Sequence, residues 1–257
     1  MKTLICILSV VIGALSVAGQ NSSSTFLQYA YGFNNADFIN GTNPVNGTMS
    51  LLTLDHTTST KWGGLYAFLN VDLANEGFYT IGSDNEIIDE NADGVRMYSE
   101  IAPWINLKNK LSLEGQINIG VGFKAGLLGF GYTFKSDSDI FLKLMAYWRT
   151  DNIRKDSGQI TGVFDIPLSK RYQVRLQGYV DWIPYLENKT KYGSDSLGSD
   201  LLTQVRILWN LKALGLMLNS QTTALEFGVD IYFHTNRLLN EANSANVIPQ
   251  PCLRLSL

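Results

Sequence analysis

From about Gly63 to the C-terminus, apolar and polar residues alternate with a period of two in strand-length runs. Between residues 224 and 236, Leu225, Phe227, Val229, Ile231 and Phe233 interleave with Glu226, Gly228, Asp230, Tyr232 and His234. Successive side chains of a strand point to opposite faces, so such a run has one apolar wall and one polar wall. Behind the N-terminal segment the chain carries no apolar run long enough to cross a bilayer as a helix. The pattern predicts a transmembrane antiparallel β-barrel. A sheet closed on itself satisfies its own backbone groups, and each strand then needs only one lipid-compatible face.

Twelve strands are predicted: 25–33, 47–58, 63–73, 95–107, 111–123, 125–134, 140–150, 158–167, 172–184, 201–211, 224–236 and 249–257. The connections are of two kinds. Those at 61–62, 108–110, 135–139 and 169–171 are short, whereas 34–46, 74–94, 188–200 and 237–248 are long and rich in Asn, Gly, Ser and Asp. Short turns at one rim and long loops at the other follow the convention of outer-membrane barrels, with the long loops outside the cell. No repeat of 20 to 50 residues is evident, which removes support for solenoids and propellers.

Parity assigns faces consistently. Leu65, Ala67, Leu69, Val71 and Leu73 are expected to face lipid while Tyr66, Phe68, Asn70 and Asp72 face the lumen. Leu113, Ile117, Ile119 and Val121 oppose Glu114, Gln116 and Asn118, and Val174, Leu176, Val180 and Trp182 oppose Arg175, Gln177, Tyr179 and Asp181. The parity that keeps charges inside is favoured, because Arg or Lys at lipid mid-depth costs about 2–4 kcal/mol. Trp148, Tyr172, Trp182, Trp209 and Phe233 fall near strand ends on the outer parity, where interfacial aromatic girdles belong.

The N-terminus has a different character. Lys2, the apolar stretch Leu4–Val17 and the small residues Ala18 and Gly19 read as a secretory signal peptide over 1–19, leaving one barrel domain over 20–257. Cys252 is then the single remaining cysteine, which excludes the disulfide-stapled secreted class. A net charge of -3 gives no basic field for nucleic acid. Mean hydropathy is +0.00, as expected when lipid-facing and water-facing residues alternate.

Several segments resemble the Tsx-type nucleoside-specific outer-membrane channels and their phage-receptor porin relatives. They are 61–73 (KWGGLYAFLNVDL), 97–107 (MYSEIAPWINL), 160–183 (ITGVFDIPLSKRYQVRLQGYVDWI), 201–211 (LTQVRILWNL after Leu201), 224–236 (ALEFGVDIYFHTN) and 246–257 (NVIPQPCLRLSL). The matching features are a Gly-then-aromatic third strand, a strand with Glu100 and Pro103, the Gly178-Tyr179-x-Asp181-Trp182 run, a Gln-bearing strand and a Pro-Gln before the last strand. The resemblance implies a narrow twelve-stranded barrel in the outer membrane of a Gram-negative bacterium. It also implies a lumen that binds nucleosides weakly as they pass, and phage attachment at exposed loops.

On this parity the lumen collects Asp55, Asp72, Glu100, Glu114, Asp165, Asp181, Glu226 and Asp230 against Lys143, Arg149, Arg175, Arg206 and Arg254. These charges are expected to pair with one another across a narrow, wet interior. A subset, with Tyr66, Tyr98, Tyr147, Tyr179 and Tyr232, is expected to form a slot in which a flat base stacks and a ribose finds hydrogen bonds. The expected solute-binding residues are Phe68, Glu100, Trp104, Arg149, Asp181, Arg206 and Asp230, which combine inward parity with stacking, hydrogen bonding or charge. Aromatic stacking supplies about 1–3 kcal/mol per base, enough for selectivity and weak enough for release. His56 and His234, the only histidines, lie near strand ends without a convergent nucleophile, so neither catalysis, a metal site nor a cofactor is expected. Partners are outer-membrane lipid and small polar solutes such as nucleosides. A non-conducting structural or receptor barrel, and a soluble exported β-barrel binder with its apolar face inward, are the alternatives.

Overall fold

Alternation is visible in the structure before any strand is named: along residues 142–151, Lys143, Met145, Tyr147, Arg149 and Asp151 are buried while Leu142, Leu144, Ala146 and Trp148 are exposed. The structure is a computed structural model. It describes residues 22–33, 42–44, 48–74, 78–81, 87–91, 94–120, 123–135, 140–152, 154–186, 198–215, 224–235 and 245–257. The expected signal peptide, 1–19, and Val121 lie outside the described residues.

The strands are β1 (Ser22–Phe33), β2 (Thr42–Pro44), β3 (Thr48–Thr60), β4 (Gly63–Leu73), β5 (Phe78–Ile81), β6 (Ile87–Asn91), β7 (Val95–Asn106) and β8 (Leu111–Gly120). They continue as β9 (Phe123–Lys135), β10 (Phe141–Asp151), β11 (Ser157–Ser169), β12 (Val174–Leu186), β13 (Gly198–Asn210), β14 (Leu225–Thr235) and β15 (Ala245–Ser256). Among the described residues, twelve of these close into one antiparallel barrel, in the order β1-β15-β14-β13-β12-β11-β10-β9-β8-β7-β4-β3 and back to β1. Every neighbour pair is antiparallel, so consecutive strands need only a turn. The β7–β8 turn shows how tight that is. Asn109 and Lys110 both take positive φ, 59° and 67°, and Leu111 N–H donates to the Lys108 carbonyl at 3.3 Å. Two such residues in succession give the turn whose twist matches the flanking strands.

Two expectations need correction. The expected strand 111–123 ends at Gly120, and Phe123 instead opens β9, paired across the turn with Gly120. The alternation of 111–119 continues in the sequence into Val121 and Phe123, so period alone does not locate the reversal. The long connections 34–46 and 74–94 are not wholly irregular: β2, β5 and β6 form a separate antiparallel sheet in the order β2-β5-β6. These runs of three to five residues are too short to show a period.

Burial does not always mark the inner face. On β4 the lipid-side Leu65 and Ala67 are each 7% exposed, whereas Tyr66 and Phe68, which line the cavity, are half-buried. The exterior elsewhere is an apolar band, with Leu128, Phe130, Leu144, Trp148, Phe227 and Leu253 all exposed. Trp148, Tyr172 and Trp182 are among its exposed aromatics.

The closing seam is the shortest ladder in register. β1 and β15 pair from Phe26↔Ser256 to Ala30↔Cys252, whereas β15 pairs with β14 from Ala245 to Leu255. Leu257 N–H donates to Thr25 of β1 and Ser256 N–H to Ala224 ahead of β14, both at 2.9 Å, so odd-numbered residues of β15 direct their N–H groups at β1. Pro249 and Pro251 are odd-numbered and have no N–H to give. Inside this seam Ala30, Leu51, Leu208 and Cys252 form an apolar cluster.

Candidate functional site in the lumen

Arg206 is the centre of the lumen's polar network. From β13 its Nε reaches Asp230 Oδ2 on adjacent β14 at 3.0 Å, and its Nη1 reaches Asp55 Oδ2 on β3 at 3.4 Å. β14, β15 and β1 lie between β13 and β3, so the second contact cuts a chord across the lumen. Asp230 Oδ2 also accepts from Gln28 Nε2 at 2.9 Å and Gln204 Nε2 at 2.7 Å. Gln204 donates to the Tyr232 hydroxyl as well, and Tyr66 donates to Asp55 Oδ1 at 3.1 Å. The result is a polar floor. Each buried charge in it has a counter-charge and hydrogen-bond donors, the condition under which burial is tolerable.

On the short-turn side of this floor the lumen is filled. Arg254 Nε bonds Glu226 at 2.8 Å, its Nη1 donates to Gln177 Oε1 at 2.6 Å, and its guanidinium lies 4.0 Å from the Phe26 ring centre. Arg175 pairs with Asp165 at 2.7 Å. Lys143 Nζ sits 2.8 Å from Glu114 and 4.8 Å from the Trp104 ring centre. Two glycines make room for this group. A Cβ on Gly64 would stand 2.3 Å from Trp104 Cζ2, and one on Gly131 would stand 2.7 Å from Glu114 Oε1.

On the long-loop side lies a cavity of about 80 Å³, room for only a handful of waters. One wall is a ladder of rings: Tyr66 to Phe68 at 5.8 Å between centres, Phe68 to Tyr98 at 5.6 Å, and Tyr98 to Phe123 at 6.5 Å. Arg149 lies 5.7 Å from the Phe123 ring and also bonds Asp151 at 3.1 Å and Gln159 at 2.7 Å. Arg96 pairs with Asp72 at 3.1 Å, and Thr161 donates to Asp181 at 2.6 Å. Four acids (Asp55, Asp72, Glu100, Asp181) and four arginines (Arg96, Arg149, Arg154, Arg206) line the space. The charge around it is balanced.

Solved structures give the architecture a place. An outer-membrane channel of Pseudomonas putida F1 superposes with a TM-score of 0.50 at 9% identity, over 91% of this chain and 95% of that one. The fold is that of a bacterial outer-membrane channel. The KdgM porin in complex with disordered oligogalacturonate also matches, with a TM-score of 0.44 at 11% identity over 91% of this chain and 98% of its own. So does OpdK of Pseudomonas aeruginosa with vanillate, with a TM-score of 0.31 at 9% identity over 92% and 98%. No protein-family model and no curated protein matches the chain. With its apolar wall outside and its charges inside, the barrel has the exterior of a membrane-spanning barrel.

Of the residues expected to bind solute, the barrel brings Phe68, Glu100, Arg149, Asp181 and Arg206 around the cavity. Asp230 stands behind Arg206 in the wall and is fully buried, and Trp104 lies apart from the cavity, against Gly64 and Lys143. Arg96, Arg154, Gln28 and Gln204 were not singled out by sequence. Gln28 and Gln204 share the inner parity of their strands, and that was their available signal. His56 points outward, its Nδ1 2.8 Å from Thr25 Oγ1, while neighbouring Asp55 faces the opposite way into the lumen. Among the described residues no acid completes a relay there. Among the described residues no group of three or more His, Cys, Asp or Glu is placed to hold a metal ion.

Proposed function

We propose that the barrel is a diffusion channel for small polar solutes, with nucleosides the solute class that fits its lumen best. The observation that carries this reading is the ring ladder Tyr66–Phe68–Tyr98–Phe123 facing a charge-balanced, hydrogen-bonding wall. Flat rings offer sequence-tolerant stacking to a base, and the arginines and carboxylates offer partners to ribose hydroxyls. Balanced charge gives no strong preference for an ion of either sign, which suits an uncharged polar solute. The resemblance to Tsx-type channels supports the same class.

Arg206 and Asp55 meet across the lumen beside the cavity, so passage requires the floor to yield. Arg206–Asp55 is the contact able to do so: it is the longer of the two Arg206 ion pairs and the one that crosses the lumen. A closed floor also favours a second reading, a non-conducting barrel whose loops act as a receptor. Bilayer recordings separate the two. Refolded protein should conduct, and nucleosides should reduce its current saturably. Phe68→Ala should weaken that block while leaving small-ion conductance equal or higher. Absent conductance in both wild type and Asp55→Asn would discard the channel, and nucleoside-indifferent current would discard the substrate.

A further inference from the structure

Charge is distributed unevenly between the two rims. At the short-turn rim Lys61, Lys108, Lys110, Lys170, Arg171 and Lys212 are all exposed; the described residues of their four turns include no Asp or Glu, and the remaining short connection at this rim, 135–139, carries Lys135 with Asp137 and Asp139. The long connection 74–94 is the reverse, with Glu76, Asp84, Glu86, Asp89, Glu90 and Asp93 and no Lys or Arg. The basic residues come from four separate turns, so they are spread along the rim rather than gathered into one pocket. Beside them sits an exposed apolar fringe of Trp62, Ile105, Leu107, Leu111, Leu168 and Tyr172. Two aromatic rings of this fringe hold a cation directly: Lys61 Nζ is 5.1 Å from the Trp62 ring centre, and Arg171 is 5.1 Å from that of Tyr172.

We propose that this rim binds the anionic headgroups of phospholipids in the periplasmic leaflet. A soluble polyanion would use the cations and leave the apolar fringe wet. A phospholipid uses both, with its phosphate at a Lys or Arg and its chains against Leu107, Leu111 or Leu168. Trp and Tyr rings are at home at headgroup depth, which fixes the level of the cations they touch. Long basic side chains with apolar stems reach from that level to the phosphate plane. Each basic residue near an anionic surface enriches anionic lipid about fivefold, and screening shortens that reach to about 10 Å at 0.1 M salt. The rim is therefore a ring of weak sites.

The test uses the full barrel refolded into phosphatidylcholine vesicles with a minor fraction of phosphatidylglycerol, one of the two lipids carrying brominated chains. Bromines quench nearby tryptophan, and the difference between wild type and Trp62→Phe isolates the Trp62 signal. Brominated phosphatidylglycerol should quench Trp62 more than brominated phosphatidylcholine at equal mole fraction. The preference should fall with added salt, and should be lost when Lys61, Lys108, Lys110, Lys170, Arg171 and Lys212 are all changed to Gln. Should that variant fail to give the folded, heat-modifiable band, Lys61→Gln with Lys108→Gln should still lower the preference. Equal quenching by the two lipids overturns the proposal. So does its abolition by inorganic phosphate but not by chloride of the same ionic strength, which would mark a phosphate site indifferent to lipid.

Discussion

Replacing Asp230 by Ala tests whether the lumen floor holds the barrel together. The carboxylate is fully buried and accepts from Gln28, Gln204 and Arg206, all through Oδ2. Its removal leaves Arg206, whose side chain is 14% exposed, with only the 3.4 Å contact to Asp55. Breaking a buried pair by removing one partner costs about 3–5 kcal/mol. Arg206 borders the cavity and keeps Asp55, so the lower end applies, about 3 kcal/mol. Asp165→Ala is the internal control: the Arg175–Asp165 pair is shorter, at 2.7 Å, but its side chains are 36% and 26% exposed. Water screens that pair, and its loss should cost less than about 1 kcal/mol. Urea unfolding of vesicle-embedded barrel, followed by loss of the heat-modifiable band and by tryptophan fluorescence, measures both. Distance alone would rank the pairs the other way. Equal destabilisation by the two variants, or a loss below about 0.5 kcal/mol for Asp230→Ala, would refute the argument from burial.

Two further outcomes follow from the wall. Arg introduced at Leu176, on the lipid side of β12, should destabilise by about 2–4 kcal/mol in the same urea assay, whereas Arg at neighbouring Gln177, on the lumen side, should cost much less. Equal cost at the two positions would refute the assignment of faces, and a greater cost at Gln177 would mean they are reversed. Amide hydrogen exchange should be faster at Phe33 than at Leu27 and Tyr29, all three of which direct their N–H groups toward β15, because the β1–β15 ladder stops at Ala30. Pro249→Val with Pro251→Val should slow it, and unchanged exchange in that variant would show that the prolines do not set the seam's strength.

Strand positions were legible where alternation was clean. β4 runs over Gly63–Leu73, as its pattern predicted, because its aliphatic residues Leu65, Ala67, Leu69 and Val71 share one face while Tyr66, Phe68, Asn70 and Asp72 share the lumen face. The same rule put Arg206, Asp55 and Asp230 on the inner wall. It could not show that Arg206 bonds both acids, since parity gives the wall on which a side chain lies but not its height or what faces it across the lumen. Those depend on the stagger of twelve strands around the ring. Trp104 illustrates the gap: its inward parity was readable, yet its place beside Gly64 and Lys143, away from the cavity, depends on the β4–β7 register. Gln204 enters the sequence reading only as the glutamine of a Gln-bearing strand and Gln28 not at all, because an uncharged amide in an alternating strand does not reveal its partner, although both bind Asp230.

The prolines of β15 have their larger consequence before the ring exists. A barrel on its way to closure is a curled sheet with two naked edges, β1 and β15, each a template for a neighbouring chain. Pro249 and Pro251 blunt half of one edge by deleting the donors that a foreign strand would need, and leave 252–256 as the stretch that can zip. The chain's own Phe26–Ala30 segment meets that stretch in register, whereas an intruder finds a docking edge barely five residues long. A weak seam in the finished wall is thus the residue of protection during assembly.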